Sequence, residues 1–495
     1  MNKLILQKLA YPFVAFALFV VIIVLASITN DANGLRNVGI AAGLFQLAVI
    51  MVMLRSSRFS IALFFLNLNN LMQCFFIAIY FNNINDGIVP GFGFDLSNYA
   101  TEQMIGLIII PSCSLFIFPF FVKKNSFKEI NSIFQLVLHP ERSYFVILWI
   151  YSFTILFSLY FNRAGLGGLI GYVSLLSEQS TLLVPILIGI WYKKLSPTLR
   201  TVSLLSVSAQ VGLTILTGNR FIVFLDVLLL YFGFLIASTQ ATRRFLMYSL
   251  LLIIPALMSV LGLMGLVRDK IGRGTIQETF SEDRYDIYKT TFFEYLESSE
   301  TDETVNDESE KNSTGRNINF VNTVVFANTP KIIPYRGFDN LPDELLNIFR
   351  LTAINSGFDQ KKILESGDEN VELGFGNGMA KRYGYNVTST NGVEWSLLAD
   401  AWSRGGVLGC YLFILFFVLL TEKLKIFISN VKLPEVKILL FIIFLNLIFF
   451  SPTTRPLPEF IKYVFLRGLA SYLLLSVIFI FFRQKKQAVV SGEVV

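Results

Sequence analysis

Apolar residues in this chain run in long blocks and do not alternate with polar ones at strand or helix spacing. A helix needs about 20 predominantly apolar residues to cross a bilayer. Blocks that reach or approach this length occupy 10–28, 37–54, 60–81, 104–122, 144–161, 173–192, 200–216, 221–237, 246–267, 397–420, 438–450 and 463–482. The pattern predicts an all-α, polytopic integral membrane protein with about 12 transmembrane helices. Glu178 and Pro185 interrupt the sixth block, and the eleventh is short. The first block is followed by further spans and by no small-residue cleavage site, so it reads as a span and not as a signal peptide.

One long polar interval breaks this plan and divides the chain into 1–267 (spans one to nine), a loop of 268–395, and 396–495 (spans ten to twelve). Within the loop, 297–315 is acidic, poor in apolar residues and of low complexity, which predicts a mobile segment. Pro342, Asp343 and Glu344 open a predicted helix that runs to Ser366, with Leu345, Ile348, Phe349 and Ala353 on one face. No internal repeat is present, and the single large loop between spans nine and ten excludes a symmetric six-plus-six plan.

Composition sharpens the class. Of the 495 residues, 54% are hydrophobic and only 15% charged, against about 25% charged in soluble domains, so a soluble globular enzyme is excluded. The net charge of +6 conceals a division: 268–394 carries 14 basic and 22 acidic residues, leaving 27 basic and 13 acidic elsewhere. An acidic insert sits in a basic membrane body, a distribution that does not suggest nucleic-acid binding. Alternate short loops, such as those with Arg55/Arg58, Lys123/Lys124/Lys128 and Lys423/Lys425, hold 20 Lys and Arg against 5 in the opposite loops. Positive charge marks the cytoplasmic side. Both termini are therefore expected in the cytoplasm and the large loop outside, in the periplasm of a double-membraned bacterium.

The candidate chemistry lies at the outer membrane face. Arg163 follows span five, Arg220 sits in the turn Thr217-Gly218-Asn219-Arg220, Arg268 ends span nine, and Arg404, Arg455 and Arg467 lie at or just inside later span ends. An arginine in a helix centre costs about 2.5–3.5 kcal/mol on insertion scales, so it tends to face a cavity or a partner. Its planar fork of donors suits phosphate or carboxylate. The competing role for each arginine is snorkelling to headgroups or pairing with a local acid, and Asp400 stands four residues before Arg404. Asp226 lies inside span eight, about 10 Å from its outer end at 1.5 Å per residue, and is either a functional acid or a paired structural one. Cys74, Cys113 and Cys410 lack metal or redox spacing, and the single His139 reads as a surface residue. No metal-protease, phosphate-loop, nucleophile-elbow or Cys-x-x-Cys spacing occurs, so no metal and no other cofactor is expected.

Three features together resemble the Wzy-type O-antigen (oligosaccharide repeat-unit) polymerases and the related O-antigen ligases. These are the plan of about twelve spans with one late outer loop, the turn Leu216-Thr217-Gly218-Asn219-Arg220, and the 373–410 passage. The turn is similar to the family's "TGSR" turn. The passage holds a Gly-x-Gly segment, then Glu394-Trp395-Ser396-Leu397-Leu398, then Gly405-Gly406-Val407-Leu408-Gly409. The ligases carry a histidine just before this passage; here stands Thr390-Asn391-Gly392, which favours a polymerase.

The resemblance implies a GT-C-type, metal-independent glycosyltransferase of the bacterial inner membrane. Its donor and acceptor would both be undecaprenyl-diphosphate-linked oligosaccharides, with the bilayer, a chain-length regulator and a flippase as further partners. On that reading Arg220, Arg404, Glu394 and Asp400 are the catalytic candidates. Arg163, Arg268, Arg455, Arg467, Asp226 and Asn219 are the substrate-binding ones. Arginines would stabilise the departing diphosphate, and Glu394, Asp400 or Asp226, in that order, would orient or deprotonate the acceptor hydroxyl. A ligase and a lipid-linked oligosaccharide flippase are the alternatives, although a flippase is expected to carry its charges at mid-membrane with short loops.

Overall fold

The computed structural model describes residues 3–29, 32–56, 60–80, 88–89, 94–95, 99–122, 183–193, 195–216, 220–238, 318–346, 396–433 and 456–462. Single positions within 242–253, 286–293, 382–383 and 436–448 are described as well. The predicted spans at 144–161 and 463–482, most of 246–267, and the segments 297–315 and 373–378 lie outside the described residues.

The described chain is helical apart from one short antiparallel ladder, β1 (Ile88–Val89) with β2 (Phe94–Asp95). Helices α1 (Lys3–Ala26), α2 (Ala32–Arg55), α3 (Ile61–Tyr80) and α4 (Ala100–Phe121) follow the first four apolar blocks. Helices α5 (Leu183–Trp191), α6 (Pro197–Leu216) and α7 (Arg220–Ala237) follow the sixth to eighth. Pro185 lies within α5, which runs on to Trp191. Ser196 caps α6, its Oγ accepting from the Leu199 N–H at 3.4 Å, and Pro197 occupies the first helical position.

Helices in lipid gain little from burying apolar area against one another, so close backbone approach and polar contacts decide their packing. Both are present. A Cβ on Gly39 of α2 would meet the Ala78 nitrogen of α3 at 2.7 Å, and one on Gly189 of α5 would meet the Gly233 Cα of α7 at the same distance. Between α2, α3 and α4 lies a buried amide cluster. Asn70 Nδ2 donates to Gln46 Oε1 and to the Leu107 carbonyl, each at 2.6 Å, and Asn67 Nδ2 donates to Ser114 Oγ at 2.8 Å. Stacking of Phe65 on Phe232, centroids 5.1 Å apart, joins α3 to α7.

Among the described residues, three helical stretches are long and apolar enough to cross a membrane: Asn33–Leu54, Ala100–Phe121 and Leu397–Asn430. The chain is thus a helical protein with the makings of a membrane protein. Outward-facing Val407, Leu408, Leu412, Phe416 and Phe427 leave an apolar flank on the last of these, suited to lipid.

Helix α8 (Ile318–Asn328) belongs to the long loop and packs on α4 and on the start of α9 (Leu397–Asn430). Thr323 Oγ1 donates to Gln103, and Lys331 pairs with Glu102 at 3.2 Å. At the far end of α9, Ser60 Oγ donates to Glu422 Oε1 at 3.1 Å. These contacts place residues 102–103 beside the loop and residue 60 beside 422.

The tenth span differs from the continuous 397–420 helix that hydropathy suggests. Gly405 and Gly406 leave helical geometry, and Gly406 takes φ 58° and ψ −137°, a backbone conformation open to glycine and costly for other residues. The break brings Ala401 and Gly409, about 12 Å apart in a straight helix, into backbone contact: a Cβ on Gly409 would lie 2.2 Å from the Ala401 carbonyl. A short helical arm, 397–404, therefore precedes the membrane-length remainder of α9, and α10 (Leu457–Lys462) follows further along the chain.

Candidate functional site

The arm is anchored first by local chemistry. Ser396 caps it, its Oγ accepting from the Ala399 N–H at 2.9 Å while donating to Asn322 of α8. Trp402 donates from Nε1 to the Thr329 carbonyl at 3.0 Å and stacks on Phe326, centroids 4.3 Å apart. Tyr383, from the second half of the loop, shares a 2.7 Å hydrogen bond with Thr329 Oγ1, and burial pushes its phenol up from the ordinary tyrosine range.

At the end of the arm, beside the glycine break, four charged side chains meet. Arg404 Nε donates to Asp400 Oδ1 at 3.1 Å, one turn back on the same arm. Arg336, from the loop, donates to the same oxygen and, through Nη1, to Glu344 Oε1 at 2.9 Å. Glu344 Oε2 accepts from Arg404 Nη2. Asp400 Oδ2 accepts from the Leu457 N–H at 3.1 Å, so one carboxylate ties the arm, the loop and the start of α10 together. Backbone contacts reinforce the loop's position: the Arg336 N–H donates to the Ser403 carbonyl at 2.8 Å, and Arg404 Nη1 to the Gly337 carbonyl at 3.3 Å.

Two positive and two negative groups give this cluster no net charge. Arg404 and Asp400 side chains are both 0% exposed, Arg336 7% and Glu344 18%. Burial pulls the Arg336 guanidinium down from the ordinary arginine value, and Asp400 beside it opposes that shift. A buried ion network of this kind contributes little net stability but costs about 3–5 kcal/mol to break on one side.

The sequence leaves Arg404 and Asp400 either as substrate-facing groups or as a local i,i+4 pair. The structure gives Arg404 the pairing with Asp400 that its i,i+4 spacing permits and adds Arg336 and the partly exposed Glu344. Through these contacts the cluster joins the loop to the broken span. Arg336 does not emerge from the sequence as a candidate, and Glu344 emerges only as a helix-start residue; that turn is helical over 341–346.

Asp226 is fully buried in α7. Gln210 Nε2 of α6 donates to its Oδ2 at 2.9 Å, and among the described residues its Oδ1 has no hydrogen-bond partner. Arg220 is the first residue of α7. Asn219, Arg163, Arg268, Arg455, Arg467 and Glu394 lie outside the described residues. Among the described residues no group of three His, Cys, Asp or Glu side chains is placed to hold a metal ion. The three cysteines are buried and free.

No family model, curated protein or solved structure matches this chain.

Proposed function

We propose that the chain is a surface-polysaccharide polymerase of the bacterial inner membrane, with about twelve spans, cytoplasmic termini and the large loop in the periplasm. It would join undecaprenyl-diphosphate-linked oligosaccharide repeat units by glycosyl transfer. The observation that carries this reading is the broken tenth span. The Gly405-Gly406-Val407-Leu408-Gly409 element, which resembles the end of the polymerases' loop passage, is where the loop is clamped to the membrane body through Arg336, Glu344, Asp400 and Arg404.

In the reaction, an acceptor sugar hydroxyl attacks the donor's anomeric carbon. The bond from that carbon to the diphosphate oxygen breaks, and the lipid diphosphate leaves with both electrons. Cationic donors at the leaving group supply the main stabilisation. Arg220 fits this role: it follows Gly218 and Asn219 in the sequence turn before the eighth span, and its planar fork of donors suits a diphosphate. Arg163, Arg268, Arg455 and Arg467 would complete the cationic rim. Arg404 and Asp400 serve by holding the loop over it. With Asp400 engaged by Arg336, Arg404 and the Leu457 N–H, the acceptor hydroxyl falls to Glu394 or Asp226.

The test is surface polysaccharide from a deletion strain, resolved on a gel. A polymerase leaves chains of one repeat. Loss of all capped lipid A would indicate a ligase, and loss of every surface form with cytoplasmic precursor a flippase.

A further inference from the structure

The two carboxylates that neutralise Arg336 and Arg404 are not equivalent. Asp400 is wholly buried, and its second oxygen is committed to the Leu457 N–H. Glu344 is the most exposed of the four, at 18%, and gives one oxygen to each guanidinium. In the helical turn that bears it, 341–346, Leu346 is 67% exposed and Leu341 packs on the core. Glu344 ties that turn to the arm of α9 through Arg404. A carboxylate bridging two guanidinium groups also presents the charge and the spread of acceptor oxygens that a phosphate would present in its place.

We propose that Glu344 is a displaceable internal anion. It occupies a phosphate-binding position between Arg336 and Arg404 and latches the loop until the diphosphate of a lipid-linked saccharide replaces it. The exchange is one anion for another, so the buried arginines never face an uncompensated state. Departure of Glu344 frees the 341–346 turn, coupling arrival of substrate to opening of the loop. Only the identity of the carrier rests on the polymerase reading; the latch itself needs nothing beyond a phosphate anion.

The experiment is hydrogen–deuterium exchange with mass spectrometry on the full-length protein purified in detergent, with and without inorganic pyrophosphate. Peptides covering 334–346 should exchange several-fold faster with pyrophosphate, while those of α2 and α3 stay unchanged. Glu344→Gln should exchange fast in this segment without any anion and bind pyrophosphate about tenfold tighter by calorimetry, its competitor having been removed. Glu344→Asp, too short to bridge both arginines, should shift both readouts in the same direction and serves where Gln impairs folding. Exchange that ignores pyrophosphate, or variants that bind it no tighter, would overturn the latch. Release by phosphatidylglycerol nanodiscs alone, as complete as by pyrophosphate, would also overturn it by making the anion a bulk headgroup. A normal pyrophosphate response in a protein whose deletion strain still makes full-length polymer would leave the latch standing and remove the polymerase reading.

Discussion

Arg404 Nε lies 3.1 Å from Asp400 Oδ1, one turn along the arm that precedes the break in the tenth span. Both side chains are out of contact with solvent, so neither charge survives alone there at low cost. Removing one partner leaves the buried four-charge cluster with an uncompensated charge. Arg404→Met or Asp400→Leu alone should each destabilise the purified protein by about 3–5 kcal/mol. The double variant should recover part of that loss, since Glu344 and Arg336 can still pair. Thermal unfolding in detergent measures this; single variants that melt like the parent would show that the pair is not a structural lock.

The break itself makes a second expectation. Gly406 has φ 58°, and a Cβ there would stand 2.7 Å from Tyr335 Oη. Gly406→Ala should cost about 1–2 kcal/mol from the backbone alone and more from the clash. Adding Tyr335→Phe should relieve the clash and leave the backbone cost. A melting series of the parent, the single variant and the double variant separates the two contributions.

Sidedness can be tested independently of chemistry. Reporter fusions after residues 124, 194 and 424 should read cytoplasm, and one at 305 should read outside, because Lys and Arg divide 20 to 5 between the two sets of short loops. An outside signal at 194 would remove the sixth span, of which α5 describes only the second half.

How far the sequence revealed this molecule depends on the range of each interaction. Helix positions were legible because hydropathy is a local property: α2, α4, α6 and α7 fall on their blocks to within a few residues. The Asp400–Arg404 pair was legible because helical spacing sets one turn between them. The break at Gly405–Gly406 was not, since glycine permits a departure from helix without demanding one; Tyr335 and Phe338, distant in sequence, pack against it. Arg336 was invisible for a different reason. Its carboxylate on the arm lies 64 residues away, and no local pattern fixes which loop arginine crosses that distance.

The central claim is that arginine at the outer face holds a donor diphosphate, and Arg220 at the start of α7 tests it most directly. A charge-assisted hydrogen bond is worth about 1.5–3 kcal/mol, which corresponds to a roughly 10–150-fold loss of turnover when it acts in the transition state. Arg220→Ala should remain in the membrane yet make no chains longer than one repeat. Arg220→Lys should recover little, because a point ammonium does not reproduce a two-pronged contact. The decisive measurement is polymer length on a gel at matched protein level for the parent, Arg220→Ala and Arg220→Lys: single-repeat products from both variants are expected, and near-normal chains from Arg220→Ala would contradict the diphosphate role.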